Sequence, residues 1–530
     1  MGSTSWLGRA FLLAALASFG CAQASTGGNG RHDLGIGVGG GGETGDDMAV
    51  VAVDLAIAGG DLTPPTPDLT GQAICYPPRD GELCPEAIFV SPTGDDTKDG
   101  QSPGTAVQHI NMGITRSLAC AFIPCVILVS AGTYNEQVTL HENLNILGGY
   151  SADFLHNDPV ANVVNITSTE PKTVIASALA VPTKLDGVTI TGGSLTTNDG
   201  ASSIGLFVSN THSALTVSRS ILIGGTGATG TPGAPGAALS CGTVGASGGT
   251  AFDCGGSTGG FGTSAGDATS GGAAGTGGSS NCPDACPLVG SDGISDGSDG
   301  TPGGSGSDGT GGAAPTDVFG TFDPTGLWSG SIGTGGTRGF NGTGGGGGGS
   351  GGTKRIRSCF GCGTLIGGRG GDGAPGGCGG GPGAAGGAGG GAFAALLVDS
   401  EIAFDNVTVQ GGTGGLGGAG GDGAGGQAGS TAVDNGITGS ASSKCGLINY
   451  HSGNGGHGGV GGNGGNGGGG GGGAGGPSVA LVRVGSSAVT ELDTVTVMPG
   501  AAGIGGAGGK GPGPKGADGP LGGVDTDRAF

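Results

Sequence analysis

Short apolar strands, polar turns and glycine follow one another in the same order at several places along the chain. Three segments show the pattern most clearly: residues 203–227, 392–414 and 478–500. Asp186, Asp405 and Asp493 each precede a Val-Thr-Ile or Val-Thr-Val strand. The alternation of apolar and polar positions predicts short strands. A single coil of about 20 residues cannot bury its inner face alone, so the coils are expected to stack.

Residues 75–193 predict further strands and one helix. The stretch AIFVSPTGDDTKDG is typical of a strand that enters an Asp/Gly turn, and HINMGITRSLACA has helical spacing. The stretch CVILVSAGTYNEQVTLHENLNILGGY alternates strands with turns. This order resembles the opening coils of right-handed parallel β-helix proteins of the pectin-lyase-like superfamily. The resemblance implies an all-β fold and specifies no activity.

Glycine-rich tracts interrupt the coils at one constant position, after the last strand of a coil. The chain has 140 glycines, and residues 411–429 and 455–476 carry glycine at every third position. Three residues per turn is the period of polyproline II. Because these two tracts have similar lengths and a distinctive turn joins them, they are expected to run in opposite directions. An earlier insertion has phased tracts near 224–236, 297–312, 333–351 and 367–390, and a less regular one at 256–278. An odd number of tracts would not return the chain to the place where the insertion begins. Either residues 313–332 form a further crossing tract, or one of the five tracts does not cross.

The phased tracts are similar to the bundled polyproline II helices of glycine-rich springtail antifreeze proteins, and in composition to the glycine-rich domains of mycobacterial PE-PGRS proteins. A flexible glycine linker is the alternative. The predicted fold is a right-handed parallel β-helix with large glycine-rich insertions that form polyproline II bundles. Its expected parts are a signal peptide (1–20), a flexible linker (21–73), N-terminal coils (74–223), an insertion (224–391), a coil (392–410), an insertion (411–477), a coil (478–499) and a glycine-rich tail (500–530).

The N-terminus predicts export. The apolar run AFLLAALASF is too short to span a bilayer and is typical of a secretory signal. Gly20 followed by Cys21 resembles the lipobox of bacterial lipoproteins, which implies that Cys21 is acylated and becomes the mature N-terminus. Ordinary cleavage near residues 22–24 is the alternative. The expected location is the outer membrane or cell surface of a bacterium, with the lipid anchor as the membrane contact.

The net charge limits which macromolecules the protein can bind, and the cysteine content predicts disulfides. The net charge of −22 opposes phosphate backbones, so nucleic acid is not expected as a partner. Of 13 cysteines, all except Cys21 are expected in disulfides, which suits an exported chain. The short spacings predict the pairs Cys75–Cys84, Cys120–Cys125, Cys241–Cys254, Cys282–Cys286 and Cys359–Cys362, with Cys378 and Cys445 left to pair at long range.

Two acidic clusters are candidate cation sites. Asp95, Asp96 and Asp99 supply oxygen ligands of the kind that calcium prefers; the alternative is that they accept backbone N–H groups in an Asx turn. Asp296 and Asp299 would share one face of a polyproline II helix, as a solvated acidic face or a weak calcium site. No other cofactor is expected.

The sequence shows no catalytic site, and Arg219 is expected to face outward. The predicted function is therefore non-enzymatic: a cell-surface lipoprotein that displays glycine-rich modules on a β-helix in a structural or adhesive role. One alternative is a protein that binds or degrades polysaccharide, as a lyase does. A second alternative is an ice-binding protein.

Overall fold

The computed structural model describes residues 87–120, 125–241, 245–252, 271–281, 294–358, 361–431, 434–444 and 448–530. The predicted signal peptide, Cys21, the predicted linker, Cys75 and Cys84 lie outside these ranges. So do Cys254, Cys282, Cys286, Cys359 and Cys445.

Short strands dominate the described chain, as the alternating pattern predicts. One α-helix, α1 (Ile110–Ser117), and one 3-10 helix, Pro103–Thr105, are present among the described residues. The strands, in chain order, are β1 (Ile88–Val90), β2 (Cys125–Ser130), β3 (Gly132–Asn135), β4 (Val138–Thr139), β5 (Leu144–Tyr150), β6 (Val164–Thr167), β7 (Lys172–Ser177), β8 (Thr183–Asp186), β9 (Thr189–Thr191), β10 (Ser203–Ser209), β11 (His212–Ser218), β12 (Ile221–Ile223), β13 (Thr321–Phe322), β14 (Trp328–Ser329), β15 (Lys354–Ser358), β16 (Gly361–Leu365), β17 (Ala392–Val398), β18 (Glu401–Asp405), β19 (Val407–Gln410), β20 (Ala441–Lys444), β21 (Ile448–His451), β22 (Ser478–Val484), β23 (Ala488–Glu491), β24 (Val495–Met498) and β25 (Val524–Ala529).

Nineteen of these strands form three parallel sheets, which together make a parallel β-helix. Sheet A has the order β1-β2-β5-β8-β11-β18-β23, sheet B has β24-β19-β12-β9-β6-β3, and sheet C has β25-β22-β17-β10-β7-β4. From β2 onward the chain visits A, then B, then C in each coil. Successive coils pair in register, so Asp186, Ser218 and Asp405 lie side by side at the end of sheet A.

Alternate residues of most strands in sheets A, B and C point into one continuous apolar core. Leu185, Val217 and Phe404 from sheet A meet Ile190 and Leu222 from sheet B there, and all are fully buried. Helix α1 covers one end of this core with Ile110 and Ile114. The carboxylate of Glu136 accepts the backbone N–H of Ile110 at 2.7 Å and so satisfies a donor at the helix N-terminus.

Each glycine-rich insertion leaves the β-helix at the same corner, between sheet B and sheet C. The insertions separate β12 from β17, β19 from β22, and β24 from β25. The tail is more than a glycine-rich extension, because it returns to sheet C as β25, which pairs with β22. The glycine-rich tracts among the described residues are numbered here in chain order as tract 1 (224–241), tract 2 (245–252), tract 3 (271–281), tract 4 (294–313), tract 5 (333–352), tract 6 (367–391), tract 7 (411–431), tract 8 (452–477), tract 9 (499–511) and tract 10 (512–523).

The tracts hydrogen-bond to one another at intervals of three residues. In tract 7, the N–H groups of Gly415, Gly418 and Gly421 each donate to carbonyls of tract 6 at 2.8 Å. The N–H groups of the residues directly before them, 414, 417 and 420, donate to tract 9. Gly467, Gly470 and Gly473 of tract 8 donate to tract 7 in descending order, so tracts 7 and 8 are antiparallel, as their matched lengths predict.

Tract 8 lies at the centre of this arrangement, which explains its composition. Residues 467–473 are all glycine. Tract 8 donates to tracts 5, 7 and 10, and accepts from tracts 4, 6 and 9. A Cβ atom built on Gly470 would collide with the carbonyl oxygen of Ala384. With neighbours on every side, no side chain fits.

Residues 313–332 do not form a crossing tract. They contain the β13–β14 hairpin, which lies on the outer surface of sheet C. The rings of Phe322 and Trp328 pack against Phe393, with centroids 5.3 Å and 6.4 Å away. The sequence-based alternative that made this segment a crossing tract is therefore wrong; its aromatic residues cover a sheet.

Candidate functional site

The carboxylates of the predicted cation cluster, Asp95, Asp96 and Asp99, accept hydrogen bonds from nearby groups of the chain. Asp95 accepts the N–H and hydroxyl of Thr97, which lower the pKa of its carboxyl. Asp96 accepts the N–H of Gln108 and contacts Nδ1 of His109 at 2.6 Å. Asp99 accepts the N–H of Gln101. In the described part of the chain no group of three or more His, Cys, Asp or Glu side chains could hold a metal ion.

The aspartates of tract 4 also bond to backbone. Asp296, Asp299 and Asp308 accept the N–H groups of Asn454, His457 and Asn466 of tract 8, at 2.6 Å, 2.7 Å and 2.6 Å. Each pair is separated by 158 residues, so the two tracts stay in step. These carboxylates replace the carbonyl that a further neighbouring tract would supply. The sequence signal is the repeated Ser-Asp-Gly triplet.

Two disulfides lie among the described residues. Cys120 is bonded to Cys125, as the short spacing predicts. Cys241 is bonded to Cys378, across 137 residues, so the predicted pairing of Cys241 with Cys254 and of Cys378 with Cys445 is wrong. Proximity in the bundle explains the partner, because tract 6 donates N–H groups to the carbonyls of tract 1, as Gly381 does to Ala237. The sulfur of Cys362 lies outside the described side chains.

The charged cluster on sheet A contains one buried ion pair, with Lys184 and Asp405 close enough to interact with it electrostatically. Asp186 is buried and accepts two hydrogen bonds from the guanidinium of Arg219, at 2.9 Å and 2.6 Å, and one from Ser218. The bond to Asp186 raises the pKa of Arg219. Arg219 thus keeps its outward position, since 39% of its side chain is exposed, but it turns back onto the sheet.

A groove of about 540 Å³ lies where sheet B meets the tracts. Its floor consists of glycine pairs, because successive coils stack there backbone on backbone: a Cβ on Gly225 would collide with the carbonyls of Gly192 and Gly193. Its polar side chains are hydroxyls and one amide, from Thr191, Ser194, Thr226, Gln410 and Thr413. None of the lining residues titrates near neutral pH, so the groove offers hydrogen bonds and no acid or base.

The groove sits within a larger surface, which we call the outer face. On sheet B it consists of the side chains opposite the core, in two rows: Thr133, Asn165, Thr189, Ile221, Thr408 and Thr496; and Asn135, Thr167, Thr191, Ile223, Gln410 and Met498. On tracts 1, 7 and 9 it continues in three rows: Thr226, Thr413 and Ala501; Thr229, Leu416 and Ile504; and Pro232, Ala419 and Ala507.

None of these outer-face residues is charged, although the chain carries 58 charged side chains, 18 basic and 40 acidic. The next row along the tracts marks the boundary, where Asp422 accepts the N–H of Lys510. Sequence analysis missed this face, because its rows come from strands and tracts that lie far apart in the chain.

No helix among the described residues is long and apolar enough to cross a bilayer. No protein-family model matches the chain, and no curated protein matches it. Among solved structures, the chain is similar to pectin methylesterase PemA from Erwinia chrysanthemi, with 16% sequence identity and a TM-score of 0.20. The match covers 27% of this chain and 44% of that one, so the chain spans less than half the length of the protein it matches.

Proposed function

We propose that the protein is a non-catalytic component of the bacterial cell surface, in which a parallel β-helix holds an ordered glycine-rich bundle and displays the outer face for structural or adhesive contacts. One observation carries this proposal: uncharged side chains continue in register from sheet B onto tracts 1, 7 and 9. A surface that is broad, regular and free of charge suits contact with an extended partner better than the capture of a small molecule.

We propose further that the tracts are polyproline II helices. Polyproline II has three residues per turn and no internal hydrogen bonds, so its N–H groups are free to bond to neighbours. The three-residue period of the bonds between tracts supports this conformation. Exact glycine phase supports it too, because glycine permits close approach on the sides that face other tracts.

Export and lipid anchoring at Cys21 complete the proposal. The long-range Cys241–Cys378 bond supports an oxidising compartment, where disulfides persist. An anchor at the N-terminus would leave the bundle free to project from the membrane surface. Labelled palmitate should enter the parent protein and not a Cys21→Ser variant expressed in the same bacterial host.

A non-catalytic role is supported by three of the described carboxylates, because neighbouring groups hold each of them. The Asp186 carboxylate is taken by Arg219 and Ser218, and the Asp95 and Asp96 carboxylates serve their own loop. The polar side chains of the groove lining are hydroxyls and one amide. Hydrolysis or elimination at a sugar needs a general acid or base within reach of the bond that breaks.

Amide hydrogen exchange on the oxidised protein tests the proposal. The N–H groups of Gly415, Gly418 and Gly421 should be protected as strongly as those of β17 and β22, because each has a carbonyl partner in a packed interior. Reduction of the disulfides should increase exchange first in tracts 1 and 6, which Cys241 and Cys378 join. Exchange at random-coil rates throughout the oxidised tracts would refute an ordered bundle and the display role with it.

A further inference from the structure

The chain itself covers part of the outer surface of sheet A and part of that of sheet C. Phe154, in the loop after β5, packs on Phe89 with ring centroids 5.0 Å apart and closes part of sheet A. The β13–β14 hairpin and Phe530 close part of sheet C, where the Phe322 and Phe530 rings are 4.8 Å apart.

Sheet B carries no comparable cover within the described residues. Ile221 is 42% exposed and Met498 38% exposed on this sheet, and Leu416 and Ile504 beside them on the tracts are 52% and 63% exposed. Leu416 and Ile504 lie side by side in one row, whereas Ile221 and Met498 each lie among polar side chains, so the absence of charge rather than an apolar patch distinguishes this surface.

Charge favours one occupant above others. Each copy of the chain has a net charge of −22, so two copies repel wherever their charged surfaces meet. On the outer face two copies can approach with carboxylates confined to the borders, where Asp405, Asp422 and Asp493 lie. The face also lacks the exposed aromatic rings and ion pairs with which a protein usually grips a sugar or a charged polymer.

The size of the face suits a modest dimer. Strands are spaced at about 4.8 Å and tracts rise about 3.1 Å per residue, so the face measures roughly 600 Å². Two such faces together bury about 1,200 Å², the lower limit for a specific protein interface.

We propose that a second copy of this chain docks on the outer face, so that the protein forms a two-fold symmetric dimer through sheet B and tracts 1, 7 and 9. The inference rests on the proposed function, because the face is continuous from sheet B onto the tracts only if the tracts are ordered. In a two-fold contact each residue is used twice, so Leu416 and Ile504 of each copy are buried together with Ile221 and Met498.

Sedimentation velocity on the full chain tests the dimer, with Cys21→Ser present in every variant so that acylation does not cause association. We expect a monomer–dimer equilibrium that shifts toward dimer as sodium chloride is raised, because salt screens the repulsion between two acidic copies and the interface itself has no ion pair to weaken. A contact held by ion pairs would respond to salt in the opposite direction.

Ile504→Asp should weaken dimerisation on the order of 100-fold, because it places two uncompensated carboxylates in the interface. The matched control is Phe340→Asp on tract 5, which removes an apolar side chain of similar exposure, 57%, from a tract that has no hydrogen bond to tract 1, 7 or 9 among the described residues. The control should dimerise like the parent.

A parent protein that stays monomeric at every salt concentration overturns the inference, as does an Ile504→Asp variant that dimerises unchanged. Thermal hysteresis by a monomer would assign the face to ice and also overturn it. Hydrogen exchange on the same samples separates the two proposals: a monomer with protected tracts refutes the dimer alone, and unprotected tracts refute the proposed function.

Discussion

Asp186 and Arg219 are joined by two hydrogen bonds, from Nε at 2.9 Å and from Nη2 at 2.6 Å, between neighbouring coils of sheet A. The carboxylate is 1% exposed and the guanidinium side chain 39% exposed. The pair therefore fixes two coils against each other from a position where only one partner reaches water. The pair contributes to stability mainly through the buried carboxylate of Asp186, which keeps a hydrogen bond from Ser218 but loses two if Arg219 is removed.

Arg219→Ala should destabilise the β-helix by about 3 kcal/mol, because it leaves a buried carboxylate without its charged partner. Urea unfolding followed by circular dichroism measures the effect. Arg369→Ala is the matched control, since the Arg369–Asp372 pair is about 40% exposed on both sides and should contribute less than about 1 kcal/mol. Equal losses from the two substitutions would contradict the argument from burial.

Gly470→Ala should destabilise the bundle by about 2 kcal/mol, because the added methyl group has no room at the centre of the bundle. Gly304→Ala on tract 4 is the control: the nearest atom to its Cβ would be Oγ1 of Thr343 at 3.8 Å. That substitution should be neutral or stabilise by about 0.5 kcal/mol, because alanine restricts the unfolded chain. Thermal unfolding of both variants checks the prediction, which fails if Gly304→Ala costs as much as Gly470→Ala.

Peptide mapping under non-reducing conditions should recover Cys241 linked to Cys378. The Cys241→Ser/Cys378→Ser double variant should lose roughly 4 kcal/mol of stability, and Cys120→Ser/Cys125→Ser roughly 2 kcal/mol, because the longer loop restricts the unfolded chain more. Differential scanning calorimetry of both double variants gives the order. A Cys241–Cys254 peptide in the map would contradict the structure directly.

The His109–Asp96 contact should make stability depend weakly on pH. The hydrogen bond that His109 donates to Asp96 raises the pKa of His109 above its ordinary 6.5, so this contribution is full below that value and is lost as pH rises through the raised pKa. Burial acts to raise the pKa of Asp96, but hydrogen bonds from His109 and Gln108 hold it below its ordinary 3.8. The Asp96 contribution is therefore present above that value and is lost as pH falls through the lowered pKa.

The melting temperature of the parent minus that of His109→Gln should shrink from about pH 6 to about pH 8, where the imidazole loses its proton. His156→Gln is a control for the loss of an exposed histidine elsewhere. A difference that stays constant across this range would show that the two side chains do not interact through charge.

The sequence by itself determined the coil repeat and the phase of the tracts. Alternation at positions such as Leu185 and Ile190 requires strands with one buried face, and the constant place of the glycine after the last strand of a coil puts every insertion at one corner. Local composition follows depth in the bundle: residues 467–473 of tract 8 are all glycine, the five triplets of residues 411–425 in tract 7 each carry one side chain, and the tract 4 triplets that begin at residues 297, 300 and 306 carry two. The physical reason is that a side chain needs a direction without a neighbouring tract.

Only the tertiary structure decided which tracts are neighbours and what covers each sheet. The partner of Cys241, the place of the 313–332 hairpin on sheet C, and the return of the tail as β25 all depend on contacts between distant residues. Glycine triplets are nearly interchangeable, so the sequence of one tract does not specify its neighbour. The outer face has the same origin: Thr226, Thr413 and Ala501 become one row only when three coils stack in register.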